Sequence, residues 1–280
     1  MIALDPEEAR RERAERLESI GKWLLPIAIM VLAIWLWDRI CVWNEIPKYI
    51  LPRPWVVLQT LYVDAPLLFG SLLVTLRITF LSLLLAVVGG VGLSVLFAQS
   101  KWIEMSFFPF AIVLQVTPIV AIFPLINIYV DNQTAKLLLC AWIVAFFPIL
   151  SNTVLGLRAA DPHLRDLFRL YRATPLQRLR LLLVPSALPY FIAGLKISGG
   201  LSLIGAVTAE MVAGAAGRET GLASRILEAS FRTETPKMFA ALLLLVATGV
   251  LIFWGFNALS RRLLGRWHAS EFDHIHGRNP

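Results

Sequence analysis

Residues 161–180 read DPHLRDLFRLYRATPLQRLR, and how this stretch folds decides how the chain is read. It stands between two long apolar segments. Asp161 followed by Pro162 is a helix start: an N-cap side chain, then a residue whose missing N–H costs nothing at the first helical position. Leu164, Leu167, Phe168 and Tyr171 recur at i, i+3, i+4 and i+7 and form one apolar stripe. Arg165, Arg169 and Arg172 take a neighbouring face. Thr174 and Pro175 repeat the start signal, so the chain bends at Ala173 and a second helix runs through 179–183 into the next apolar segment. Two readings of the short helix stand open on these residues. It lies flat in a lipid interface, or it lays its apolar stripe into a groove on a soluble partner.

The surroundings are those of a membrane protein. The chain has 280 residues, of which 58% are hydrophobic and 16% charged, with a mean hydropathy of +0.70. A soluble domain of this length is less apolar. The apolar residues are also bunched: 78–98, 105–130, 137–157 and 238–259 each run 21 to 26 residues without a charge. About 20 such residues cross a hydrocarbon core of roughly 30 Å as a helix. Residues 20–37 and 181–209 are two further candidates, so the expectation is an all-α integral membrane protein with about six spans. Pro109, Pro118 and Pro124 all fall in the third span, which must kink or break.

Basic residues set the orientation, because loops rich in Lys and Arg stay cytoplasmic. With the N-terminus inside, the inner segments hold 16 basic residues and the outer segments 8. Both termini are therefore expected in the cytoplasm. The net charge of +7 is mostly this orientation signal, not a nucleic-acid surface. Cys41 and Cys140 read as small apolar fillers. His268, His274 and His276 fall in a C-terminal tail that reads as solvated, so no metal site is expected.

Three stretches carry a specific resemblance: 115–125 (QVTPIVAIFPL), 146–162 (FFPILSNTVLGLRAADP) and 182–211 (LLVPSALPYFIAGLKISGGLSLIGAVTAEM). In this order and spacing they resemble binding-protein-dependent ABC importer permeases, most of all those for nitrate, sulfonate, taurine, bicarbonate and related small solutes. The resemblance implies the type I importer permease fold. It also makes 158–180 the coupling loop, with Asp161, Leu164, Asp166, Leu167, Phe168, Tyr171, Arg172 and Ala173 as the coupling helix that grips an ATPase. The family's Glu-Ala-Ala falls on Asp166, Leu167 and Phe168, so only its acidic character survives. The family's glycine at the bend falls on Arg172. The implied organisation is a charged N-terminal helix at 1–21, a permease domain at 22–264 and a cytoplasmic tail at 265–280, in a bacterial inner membrane.

The partners follow from what the chain lacks. It contains no GxxxxGK[ST] phosphate cradle and no chain of intramembrane carboxylates, so it is read as a non-catalytic subunit with no cofactor of its own. The resemblance implies ABC ATP-binding subunits that hold ATP and Mg, an external solute-binding protein and a second permease copy, most simply an identical one. Membrane lipid surrounds the assembly. The solute is expected to be a small anion of the sulfonate, nitrate or bicarbonate type. A vitamin precursor of the pyrimidine or flavin type is the alternative, ahead of a self-contained channel or secondary carrier.

Polar residues within spans are costly and face protein or water. On that ground Arg77, Gln115, Thr117, Asn127, Asn152 and Glu210 are the candidates for a translocation path or gate. Glu210 and Arg77 both fall near the outer boundary, where they are expected to pair. Gly89, Gly90, Gly92, Gly194, Gly199 and Gly200 are expected to let helices approach closely. The outer hairpin at 214–237 either dips into the bilayer or receives the binding protein.

Overall fold

The computed structural model describes residues 6–214 and 220–264, and among these the chain is almost entirely helical with no strand. The histidine-bearing tail and residues 215–219 of the outer hairpin lie outside the described residues. Among the described residues, five helices are long and apolar enough to cross a membrane, or six with one bent pair taken as a single span.

The first helix, α1 (Pro6–Trp43), joins the charged N-terminal stretch and the first span into one 38-residue helix. Only 6% of its apolar window is buried, and it meets the bundle through Trp37, whose ring lies 5.7 Å from that of Phe239. A short helix, α2 (Pro54–Val63), occupies part of what the sequence reads as an outer loop. It is preceded by Arg53, whose guanidinium forks onto Asp38 at 2.8 and 3.1 Å. The next helix, α3 (Ala65–Gln99), has 35 residues, about 52 Å at 1.5 Å per residue. It therefore extends beyond the hydrocarbon core.

The third span is broken. Helices α4 (Lys101–Val116) and α5 (Ile119–Tyr129) meet at an angle of 105°. Of the three prolines, only Pro118 breaks the chain, and it pushes the residue before it out of the helical region. Thr117 is accordingly extended, at φ −79° and ψ 122°, and its hydroxyl donates back to the Val113 carbonyl at 2.6 Å. Pro109 and Pro124 remain inside their helices.

The centre of the bundle is α6 (Gln133–Arg158), with 61% of its apolar window buried. It packs against α3 on one side and α9 (Val184–Ala213) on the other. Lipid is as apolar as leucine, so close backbone approach and interhelical hydrogen bonds drive this association. A Cβ on Gly194 would lie 2.7 Å from the Pro148 carbonyl oxygen, and one on Gly90 would lie 2.7 Å from Ile149 Cγ2. Ser198 Oγ donates to the Ala145 carbonyl at 2.7 Å. Gly92 and Gly200 depart from the expectation: both face open space, so no helix needs them for its approach.

Between α6 and α9 come α7 (Pro162–Leu170), α8 (Pro175–Arg178) and a π-helical turn at Leu179–Leu183. Pro185 has no N–H for the Leu181 carbonyl, and a widened turn absorbs that mismatch. After α9 the chain forms α10 (Leu222–Phe231) and the last long helix, α11 (Thr235–Leu264).

Candidate functional site

The sequence places the site on α7, and the helix forms as its caps require. The Asp161 carboxylate accepts from the His163 N–H at 2.7 Å. At the other end the N–H of Arg172 reaches the Arg169 carbonyl at 2.9 Å, and that of Ala173 reaches the Phe168 carbonyl at 2.9 Å. This pair of bonds is a Schellman ending, which demands a left-handed residue between helix and exit. That residue is Arg172, at φ +50°. The bend therefore falls one residue earlier than Ala173. The position that resembles the family's glycine has the conformation glycine favours, although arginine occupies it. Thr174 and Gln177 then close a reciprocal capping box that starts α8.

No residue of α7 is buried. Leu164 and Leu167 are 45% and 44% exposed, Leu170 and Tyr171 about 80%, while Phe168 is half-buried. Leu170 thus joins the exposed apolar set, which the stripe read from the sequence leaves out. Asp166 pairs with Arg169 at 3.3 Å in the open.

One residue that the sequence reading passed over holds α7 in place. Arg165 turns inward and donates to the carbonyls of Leu157 and Arg158 at 3.1 and 2.7 Å. These are terminal carbonyls of α6, which have no partner within their own helix, and a guanidinium there also meets the negative end of the helix dipole. Arg158 in turn pairs with Glu104 of α4. The signal in the sequence is faint: a basic residue a few positions beyond a helix end, able to reach back.

At the opposite end of α9 a second constellation forms around Glu210, which is 1% exposed. Its carboxylate accepts from the Ala223 N–H at 2.9 Å, and its backbone carbonyl accepts from Ser224 Oγ at 3.2 Å. Thr75 Oγ1 of α3 accepts from the Leu222 N–H at 2.8 Å. The N-cap residue of α10 is Gly221, which has no side chain to offer. The first N–H groups of α10 are therefore satisfied by side chains borrowed from α3 and α9, and a carboxylate is well placed at a helix N-terminus. A Cβ on Gly221 would collide with that carboxylate. Arg225 adds a bond to Ser71 at 3.2 Å and another to Glu228 at 2.7 Å. The Glu228 carboxyl is held below the usual carboxylate range by that Arg225 bond.

This arrangement replaces the expected pairing of Glu210 with Arg77. Arg77 is exposed on α3, and among the described residues neither forms an ion pair. The physical reason is that the start of α10 fills the space beside Glu210 and its Ala223 N–H bonds the carboxylate. The other polar candidates are scattered. Gln115 is exposed, Asn127 accepts from Lys136 Nζ at 2.7 Å, and Asn152 donates to the Pro148 carbonyl of its own helix at 2.8 Å. No hydrogen bond joins any two of the six.

Comparisons with known proteins agree with this architecture. Residues 86–265 match the family described as binding-protein-dependent transport system inner membrane component. A probable ABC transporter permease protein of Haemophilus influenzae is 30% identical, over 86% of this chain and 97% of that protein. The formylaminopyrimidine transport permease of Halalkalibacterium halodurans is 31% identical, over 77% and 85%. A putative aliphatic sulfonates transport permease of Bacillus subtilis is 28% identical, over 89% of both. Among solved structures, an amino acid ABC transporter superposes with a TM-score of 0.60 at 18% identity, over 73% of this chain and 97% of its own. This likeness concerns the fold, which is that of type I ABC importer permeases. The chain belongs to the family of binding-protein-dependent transport system inner membrane components, as the permease subunit of an ABC importer.

Proposed function

We propose that the chain carries a small solute inward across the bacterial inner membrane, with both termini cytoplasmic and α7 as the coupling helix. ATP and Mg are bound by separate ATP-binding subunits under a pair of permeases, and an external solute-binding protein delivers the ligand at the α10 end. The observation that carries this reading is the division of labour on α7. One face is tied to α6 by Arg165, while Leu164, Leu167, Leu170 and Tyr171 stay exposed at the end of the bundle. An apolar helical face on a fixed mount suits a groove on a soluble partner. Leu167→Asp should abolish co-purification of the ATPase subunits and transport, while the permease still inserts. A normal complex with normal transport would make α7 a lipid-interface helix and overturn the reading.

For the solute, a small anion of the sulfonate type is supported by the Bacillus subtilis relative, and nitrate or bicarbonate belong to the same chemical class. A second reading, a vitamin precursor of the pyrimidine or flavin type, is favoured by the higher identity to the formylaminopyrimidine permease and to a riboflavin permease. Calorimetry of the cognate binding protein with a sulfonate and with an aminopyrimidine decides between them.

A further inference from the structure

At the α7 end of the bundle a cavity of about 300 Å³ is lined by Lys101, Glu104, Arg158, Arg165, Arg169 and Arg178. It holds five cations against one carboxylate. Glu104 is engaged by Arg158, and Asp166 outside the cavity by Arg169. Among the described residues, Lys101, Arg165 and Arg178 are left without a carboxylate. The Nε of Arg165 is buried and has no hydrogen-bond partner, and a buried unpaired donor is costly unless something satisfies it.

Directly alongside runs a groove of about 590 Å³ between α3, α6 and α9, lined by residues such as Val88, Val91, Val95, Leu188 and Phe191. Its lining is almost wholly apolar. Leu157 lines both spaces, so the cationic cavity and the apolar groove are immediate neighbours. Gly92 also lines the groove, and a Cβ there would touch nothing. Its side-chain vacancy is therefore not required by the packing of the protein itself.

We propose that this composite site binds an anionic glycerophospholipid, with the phosphate headgroup in the cavity and an acyl chain in the groove. Charge complementarity selects the headgroup, since clustered cations at the end of a bundle attract anionic lipid. The apolar groove selects a molecule with a chain over a free anion. Because Arg165 also holds α7 to α6, an occupied headgroup site steadies that mount. The binding itself does not depend on α7 acting as a coupling helix.

The test uses the full chain, purified in mild detergent and given vesicles of phosphatidylglycerol or of phosphatidylcholine, with lipid retention read by native mass spectrometry. Phosphatidylglycerol should be retained in preference by roughly ten-fold or more. Lys101→Gln combined with Arg178→Gln should remove the preference. Gly92→Leu should cut phosphatidylglycerol retention several-fold without lowering the melting temperature, which keeps the proposal testable if the charge variant misfolds. Equal retention of the two lipids would overturn it. So would a thermal upshift reproduced by inorganic phosphate alone and untouched by Gly92→Leu, which marks a free-anion cavity. Disappearance of the preference when the ATPase subunits are bound would assign the cations to an acidic side chain of that partner and overturn it equally.

Discussion

Two short helices sit at opposite ends of α9, and they are built on different logic. Both α7 and α10 close with a Schellman ending on a residue other than glycine: Arg172 at φ +50° and Thr233 at φ +61°. Ala173 reaches back to the Phe168 carbonyl in the first, and Glu234 reaches back to the Ala229 carbonyl in the second, both at 2.9 Å. Their beginnings differ. Helix α7 caps itself with Asp161 and buries none of its residues. Helix α10 begins at a bare glycine, takes its caps from Thr75 and Glu210, and buries Leu222, Ala223, Ser224 and Ala229. A helix that carries its own caps keeps its shape while its face is offered elsewhere. A helix with borrowed caps is complete only when docked.

The largest expected effect falls on the docked helix. Gly221→Val drives a side chain into the Glu210 carboxylate and should destabilise the protein by roughly 3 kcal/mol, at the upper end of overpacking costs. Hydrogen exchange should show α10 unprotected and α7 unchanged. A variant with native protection in α10 would break the contrast. Next, Glu210→Ala leaves the Ala223 N–H buried without its acceptor, a loss of about 2 kcal/mol. The drop in melting temperature should come with faster exchange in α10 alone.

Arg165→Ala probes the other end. It strips the guanidinium from the last turn of α6, for about 1 kcal/mol, yet transport should fall steeply because α7 loses its mount. Exchange within α7 should rise only slightly, since its own caps remain. Equal transport by this variant would mean that α7 is positioned by its partner and not by α6. The smallest effects are gains. Arg172→Gly and Thr233→Gly each relieve a left-handed residue and should stabilise by up to about 1 kcal/mol, more for the β-branched threonine. If Arg172→Gly loses transport despite a higher melting temperature, the guanidinium contacts the partner.

Much of α7 was legible in the sequence because its signals are local. Asp161-Pro162, the i, i+3, i+4, i+7 stripe and Thr174-Pro175 each act within a few residues, and the helix formed where they placed it. That the third span kinks or breaks was legible for the same reason, although which of its three prolines breaks it was not. The clamp around Glu210 was not. Thr75 and Leu222 are 147 positions apart, and no periodicity within either segment announces that one caps the other. Reading Glu210 as a charge in need of a countercharge led to Arg77, when its carboxylate instead caps α10 by accepting from the Ala223 N–H. Arg165 escaped for a related reason. Its place on a cationic face was visible, but its target exists only once α7 folds back against the end of α6.

The ending of α7 has a mechanical consequence. A glycine at position 172 would visit both signs of φ freely, and the joint between α7 and α8 would be compliant. Arginine has one narrow left-handed well and is otherwise confined to negative φ. The joint therefore has two settings, the right angle of approach or none near it. A push on the outer face of α7 is not absorbed at this corner by small rotations. Behind that corner stand α8, the widened turn and α9, whose far end holds the Glu210 clamp. A stiff corner makes one body of the handle and the helix behind it.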